Sequence, residues 1–329
     1  MNYNNFKDSF LNNRTYPPIS SVIIDTNIIR NYEDLDYICY VEGPTDEDFY
    51  GNIQNLSISN KKIKFITGLT KNDEIKECRV GKESVIKKYY EINSYVNFKY
   101  LLKKSIFIID SDNYGLLSEY YDEKYLNKKV FNITNGYAFE NYFFSKRNIR
   151  KIFEYFKLTE ADLNEFIIYL NRFIKEVSYY NRLKCSTTIA CKKCKYHTYL
   201  PSTRVEFLYG KKTGKKITAE DIFDFDFTGK HNYYFRKNLM ERQNKKIKEV
   251  IGKNDLIMDY FNNVSIKFEN NANYIRGHDI YNFLQKYLYQ KFNINISPRI
   301  TENSKYFEVL KIIDVDINFV NGLGEDIKY

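Results

Sequence analysis

The stretch YICYVEGPTD, residues 37–46, decides how this chain is read. An apolar run, Tyr37 to Val41, ends abruptly in Glu42-Gly43, and Asp46 follows one helical turn later. A short run apolar on both faces and closed by a turn signal reads as a strand inside a parallel sheet. Pro44 presets the first turn of a helix. Gly43 is expected to free the backbone for a tight turn and to let a metal or phosphate approach closely. The expected order is strand, Glu, tight turn, and a helix carrying a second acid.

Outward from this stretch the pattern repeats. Ile63–Thr67 (IKFIT) is strand-like and ends at Gly68, and Ser21–Ile24 is a further short strand candidate. Residues 83–102 carry Val85, Tyr89, Ile92 and Val96 at helical spacing. Ser105–Ile109 (SIFII) is a continuous apolar run ending at Asp110, and Val130–Thr134 (VFNIT) is another strand candidate. This alternation predicts an α/β fold, a parallel sheet flanked by helices. After Phe144 the period becomes helical, first over 148–156. Thr159 then reads as an N-cap with Asp162 in a capping box. Leu163, Phe166, Ile167, Leu170, Phe173, Ile174 and Val177 form one apolar stripe. More helix is expected around 235–251. Past Asp279, expected as a helix cap, Ile280, Phe283, Leu284, Tyr287 and Leu288 mark an amphipathic helix. The simplest organisation is an N-terminal segment (1–35), a core (36–145), a mainly helical, basic, cysteine-containing insert (146–264) and a C-terminal completion of the core (265–329).

The 329 residues are 43% hydrophobic, enough for one large domain or two modest ones. The polar N-terminus shows no signal peptide, and no apolar run approaches the roughly 20 residues of a membrane span. A soluble cytoplasmic protein is expected. Five cysteines, an odd number, do not suggest a disulfide framework. The net charge is +9, and residues 184–253 alone carry +10. Two readings fit that block: a nucleic-acid contact surface, or a solvated lysine-rich face.

The acids carry the chemistry. In open parallel sheets, functional groups gather at the carboxyl ends of strands. Glu42 closes the first strand, Asp110 and Asp112 close SIFII, and Glu140 follows VFNIT in GYAFENYF. Asp110 and Asp112, two apart on an extended chain, would face the same way. Each acid singly has a structural reading. Asp46 sits in a helix's first turn, where the dipole favours it, and residues 110–115 are good turn chemistry. Together they point to a metal site. Converging carboxylates need a counter-charge, and hard oxygens suit Mg²⁺ or Mn²⁺. Such an ion activates water and steadies a phosphodiester's charge.

VEGPTD resembles the first Toprim motif, Glu-Gly followed by Asp, and IIDSD resembles the second, Asp-x-Asp. GYAFENYFF and YIRGHDIYNFLQKYL narrow the resemblance to a Toprim-like nuclease family related to the OLD-type nucleases. It covers about residues 36–145 and 270–292. The resemblance implies a Toprim-type sheet and a metal-dependent phosphodiesterase. Glu42, Asp110 and Asp112 would be the principal metal ligands, and Asp46 and Glu140 would serve a second metal or orient water. Arg276 or His278 is the nearest match to a late basic residue at the scissile phosphate, though His278 reads equally as structural. Ala138 departs from the pattern, where a Ser is common. Family members stand beside ABC-type ATPases in phage-defence operons. In the phage anti-restriction-induced system the ATPase restrains a toxin nuclease that acts on tRNA. The resemblance therefore implies an antiviral effector acting on RNA, with an ATPase partner.

CSTTIACKKCKYH holds Cys185, Cys191, Cys194 and His197, either a structural Zn²⁺ set or free thiols in a basic loop. Lys192, Lys193, Lys195, Lys211, Lys212, Lys215 and Lys216 form a candidate phosphate-contacting surface, with Tyr196 and Tyr199 available for stacking. VIIDTN (22–27) imitates the opening of PIN-domain nucleases, but the later acids do not fit that fold, so Asp25 reads as structural or linker. A non-catalytic Toprim-like binding or regulatory subunit stays open, as does a DNA-nicking enzyme, as does a homodimer.

Overall fold

Every residue of Ser105–Ile109 is buried, as a central strand of a parallel sheet requires. The computed structural model describes residues 35–56, 61–67, 81–94, 102–112, 131–134, 136–175, 177, 211–212, 215–216, 223–228, 234–235, 272–298 and 303–315. The main elements are β1 (Tyr37–Val41), α1 (Pro44–Asn52), β2 (Ile63–Thr67), α2 (Lys82–Ser94), β3 (Ser105–Ile109), β4 (Phe131–Ile133) and α3 (Lys146–Tyr155). They are followed by α4 (160–175), α5 (Gly277–Phe292) and α6 (Tyr306–Ile312). Ser21–Ile24 and most of 235–251 lie outside the described residues; Phe235, expected to open a helix, pairs instead in a two-residue antiparallel strand with Phe223.

The four strands form an all-parallel sheet in the order β2-β1-β3-β4. Tyr37 to Val41 run in register with Ile63 to Thr67, and Tyr40 lies opposite Phe107. Strand alternation divides the core into two layers. Cys39, Val41, Ile106 and Ile108 share one cluster with Phe49 and Tyr50 of α1. Ile38, Tyr40, Phe107 and Ile109 share the other with Val85, Ile86 and Ile92 of α2. The sheet is thus covered by helices on both faces, an α/β fold. Each fully buried side chain of this kind contributes about 1.5–3 kcal/mol over leaving it in water.

The helices beyond Phe144 pack on the α1 side of the same sheet. The capping box forms: Asp162 N–H donates to Thr159 Oγ1 at 3.2 Å, and Thr159 N–H donates to Asp162 Oδ2 at 2.8 Å. Phe166 lies 5.0 Å from the Tyr287 ring, and Phe173 stacks on Phe283 at 4.7 Å. Ile167 departs from the expected stripe and is 37% exposed. At 100° per residue it falls on the edge of the face centred near Phe166 and Leu170. Asn148 ties α3 to the chain's later part: its Nδ2 donates to Asp314 O, and its Oδ1 accepts the Asp314 N–H, both at 2.8 Å. One hydrophobic cluster therefore runs from β1 through α3, α4, α5 and α6. Among the described residues, no helix is long and apolar enough to cross a membrane.

Candidate metal and phosphodiester site

The strand order reverses direction between β1 and β3, which makes their carboxyl ends the topological switch point where such sheets bind ligands. Glu42 follows β1, and its Oε1 accepts the Asp110 N–H at 2.8 Å. The Lys82 backbone N–H, at the start of α2, also donates to this carboxylate. Gly81, at φ +120, a value that favours glycine, sends its N–H to the Glu42 carbonyl at 2.8 Å. The start of α2 is therefore clamped onto the end of β1.

Gly43 corrects the sequence reading. Its φ of −157 is extended backbone open to other residues, and a Cβ there would meet Asp46 Oδ2 at an ordinary 3.5 Å. The turn does not require glycine. Pro44 does open α1, and Asp46 lies buried in its first turn.

The loop after β3 is also pinned. Ser111 N–H donates to Thr134 Oγ1 at 2.9 Å, and the Thr134 hydroxyl donates to Gly136 O at 2.9 Å. Asp112 N–H donates to Tyr137 O at 2.8 Å. The chain does not stay extended here: Asp112 has φ +46, so the expectation that Asp110 and Asp112 share a face of an extended segment does not hold. The Asp112 carboxylate pairs with Lys82 Nζ at 2.9 Å. Sequence reasoning missed Lys82, which no motif spacing marked.

Glu140 comes from the 3₁₀ turn Phe139–Phe144 and is buried. His278 Nδ1 lies 2.7 Å from its Oε1. Gly277 begins α5 directly against Glu140: a Cβ there would collide with Oε2 and stand 3.1 Å from Ala138 Cβ. Asn141 fastens this turn to the later segment. Its Oδ1 accepts the Ala138 N–H at 2.9 Å, and its Nδ2 donates to Ala272 O at 2.8 Å and Ile275 O at 3.0 Å. The Glu-Asn pair thus divides its work, Glu140 facing the site and Asn141 holding the loop. Arg276 is the N-cap of α5 and approaches Asp279 at 3.8 Å. Asp279 is not the cap, because the helix begins two residues earlier; it is a buried first-turn acid, favoured by the dipole.

The electrostatics bind these acids into one group. Burial and the neighbouring Asp112 raise the Glu42 carboxyl to about 7, against the lowering pull of Lys82. Burial, then Glu42 and Glu140, raise Asp46 to about 7. Burial and four neighbours, Glu42, Asp46, Glu140 and Asp112, push Asp110 well above the carboxylate range. The Glu140 hydrogen bond raises His278. Among the described residues, Lys82 pairs with Asp112, His278 with Glu140 and Arg276 with Asp279, while no Lys, Arg or His pairs with Glu42, Asp46 or Asp110.

This donor set fits a hard divalent cation: all oxygen, desolvated, and ionised only at the cost of a mutual repulsion that a cation would offset. Yet among the described residues no three His, Cys, Asp or Glu side chains are already gathered as a set that could hold a metal ion. Lys82 and His278 engage two of the five acids. Cys185, Cys191, Cys194, His197, Lys192, Lys193 and Lys195 lie outside the described residues. Lys211–Lys212 and Lys215–Lys216 pair as two short antiparallel strands. No protein-family model matches this chain, and no curated protein matches it.

Proposed function

We propose that this chain is a Toprim-type, divalent-metal-dependent nucleic-acid phosphodiesterase. One observation carries the reading: Glu42, Asp46, Asp110, Asp112 and Glu140, from distant parts of the chain, act on one another's charge at the β1/β3 switch point. Glu42, Asp110 and Asp112 would hold a Mg²⁺ or Mn²⁺, with Asp46 and Glu140 beside them. When bound, such a cation lowers the pKa of water and offsets charge on the phosphodiester. The chain's own groups do the positioning. Two backbone N–H groups fix Glu42. His278, two-thirds exposed, holds Glu140 and presents an imidazole toward solvent. The N-terminus of α5, with Arg276 as its cap, offers a positive end to a phosphate.

The resemblance extends the proposal to substrate and setting: RNA such as tRNA, in the cytoplasm, within an antiviral defence system restrained by an ABC-type ATPase. The sequence has no phosphate-cradling Gly-Lys-Ser/Thr loop, so ATP dependence would belong to the partner. The basic block 184–253 would supply salt-sensitive contacts to the nucleic acid. A second reading, a non-catalytic binding subunit, draws on the absence of a gathered metal set among the described residues. The test is cleavage of total tRNA and of plasmid DNA, with Mg²⁺ and with EDTA, by the wild type and by Glu42→Ala. Metal-dependent cutting that vanishes in the variant supports the enzyme. Binding without cutting, unchanged by Glu42→Ala, supports the second reading.

A further inference from the structure

Lys82 is a cation that the metal reading does not use. Its side chain is only 14% exposed, at the start of α2, and its Nζ lies 2.9 Å from Asp112 Oδ2. Its backbone N–H donates to the Glu42 carboxylate, so the helix start and the ammonium group address two acids of the cluster at once. Asp112 is held from behind by its N–H to Tyr137 O. This ion pair sits just past the end of β3.

We infer that Lys82 is a built-in counter-ion that occupies Asp112 in the cation-free protein and must give it up when a divalent cation binds. The inference rests on the metal reading above and adds regulation to it. A fixed +1 charge beside the cluster opposes an incoming +2 ion and competes with it for one carboxylate. In return, it offsets repulsion among acids that would otherwise face one another uncompensated. Lys82 is therefore a positioning residue acting through Asp112, and it sets the cation concentration at which the site fills.

Mn²⁺ binding to the full chain, followed by calorimetry and electron paramagnetic resonance, tests this. Lys82→Met is expected to bind Mn²⁺ at least about tenfold more tightly than the wild type, and to melt at a lower temperature in EDTA. Lys82→Arg keeps the charge and is expected to stay near the wild type. Equal or weaker Mn²⁺ binding by a folded Lys82→Met overturns the inference while leaving the metal reading in place. A wild type that binds no Mn²⁺ removes the metal reading, and this inference with it. A measurement on the unaltered protein guards against a misfolded variant. Reductive methylation read by mass spectrometry is expected to label Lys82 several-fold more in saturating Mn²⁺ than in EDTA, and unchanged labelling overturns the inference.

Discussion

Glu42 Oε1 accepts the Asp110 N–H at 2.8 Å, joining the ends of two neighbouring parallel strands across 68 positions of sequence. The bond makes Glu42 both a structural tie and a charge in the cluster. Those two roles separate under substitution. Glu42→Gln keeps an acceptor oxygen in place and removes the charge. The protein is expected to fold, and to lose at least about a hundredfold in Mn²⁺ affinity and cleavage, at or beyond the upper end of what losing an outer-shell partner costs. Circular dichroism and calorimetry on the same sample separate the two effects.

The raised carboxyl groups set a pH dependence of unusual sign. Glu42 and Asp46 titrate near 7 in the folded protein and from 4.5 and 3.8 when unperturbed. Between those values the folded state binds more protons than the unfolded state, so stability falls as pH rises. In EDTA, the melting temperature of the wild type relative to a Glu42→Gln, Asp46→Asn double variant is expected to drop by roughly 3–6 °C from about pH 5 to about pH 8. Saturating Mg²⁺ should remove the drop, because the acids then have a counter-charge. A scanning calorimetry series across pH reads it.

Gly277 faces Glu140 with no room for a side chain. Gly277→Ala would favour an isolated helix, since alanine is the better helix former. Here it is expected to cost about 1–3 kcal/mol through overpacking and to displace Glu140. Urea unfolding should show the loss, and Mn²⁺ titration a weakening of at least about tenfold.

Asn141 holds three backbone groups and is buried. Asn141→Ala leaves those groups without their partner. A loss of about 2–4 kcal/mol in urea unfolding is expected. Thr159→Ala is the contrasting case. It removes a cap far along the chain from the cluster; about 1 kcal/mol should be lost, with cleavage unchanged.

YICYV and SIFII were legible because burial on both faces leaves a continuous apolar run; IKFIT, buried only at Phe65, kept its expected bounds as well, and VFNIT lost one residue at each end. Glu42, Asp46, Asp110 and Glu140 were legible because strand ends and a first helical turn are local positions. Lys82, Gly277 and Asn141 were not. Their roles depend on which segments meet, and Lys82 touches Asp112 30 positions away. Asp112 was placed on the wrong geometry because a left-handed residue three positions past a strand leaves no periodic signal. Gly43 was over-read for the converse reason: a glycine after a strand looks like a forced turn, and here the backbone is extended.

On the proposed function, the acids at the β1/β3 switch point hold a divalent cation. The most direct test is anomalous diffraction from crystals soaked in Mn²⁺. The expected result is a peak bounded by Glu42 and Asp110, with Asp112 swung off Lys82. Saturating Mn²⁺ with no peak at that place, in a protein that still cuts nucleic acid, would contradict it.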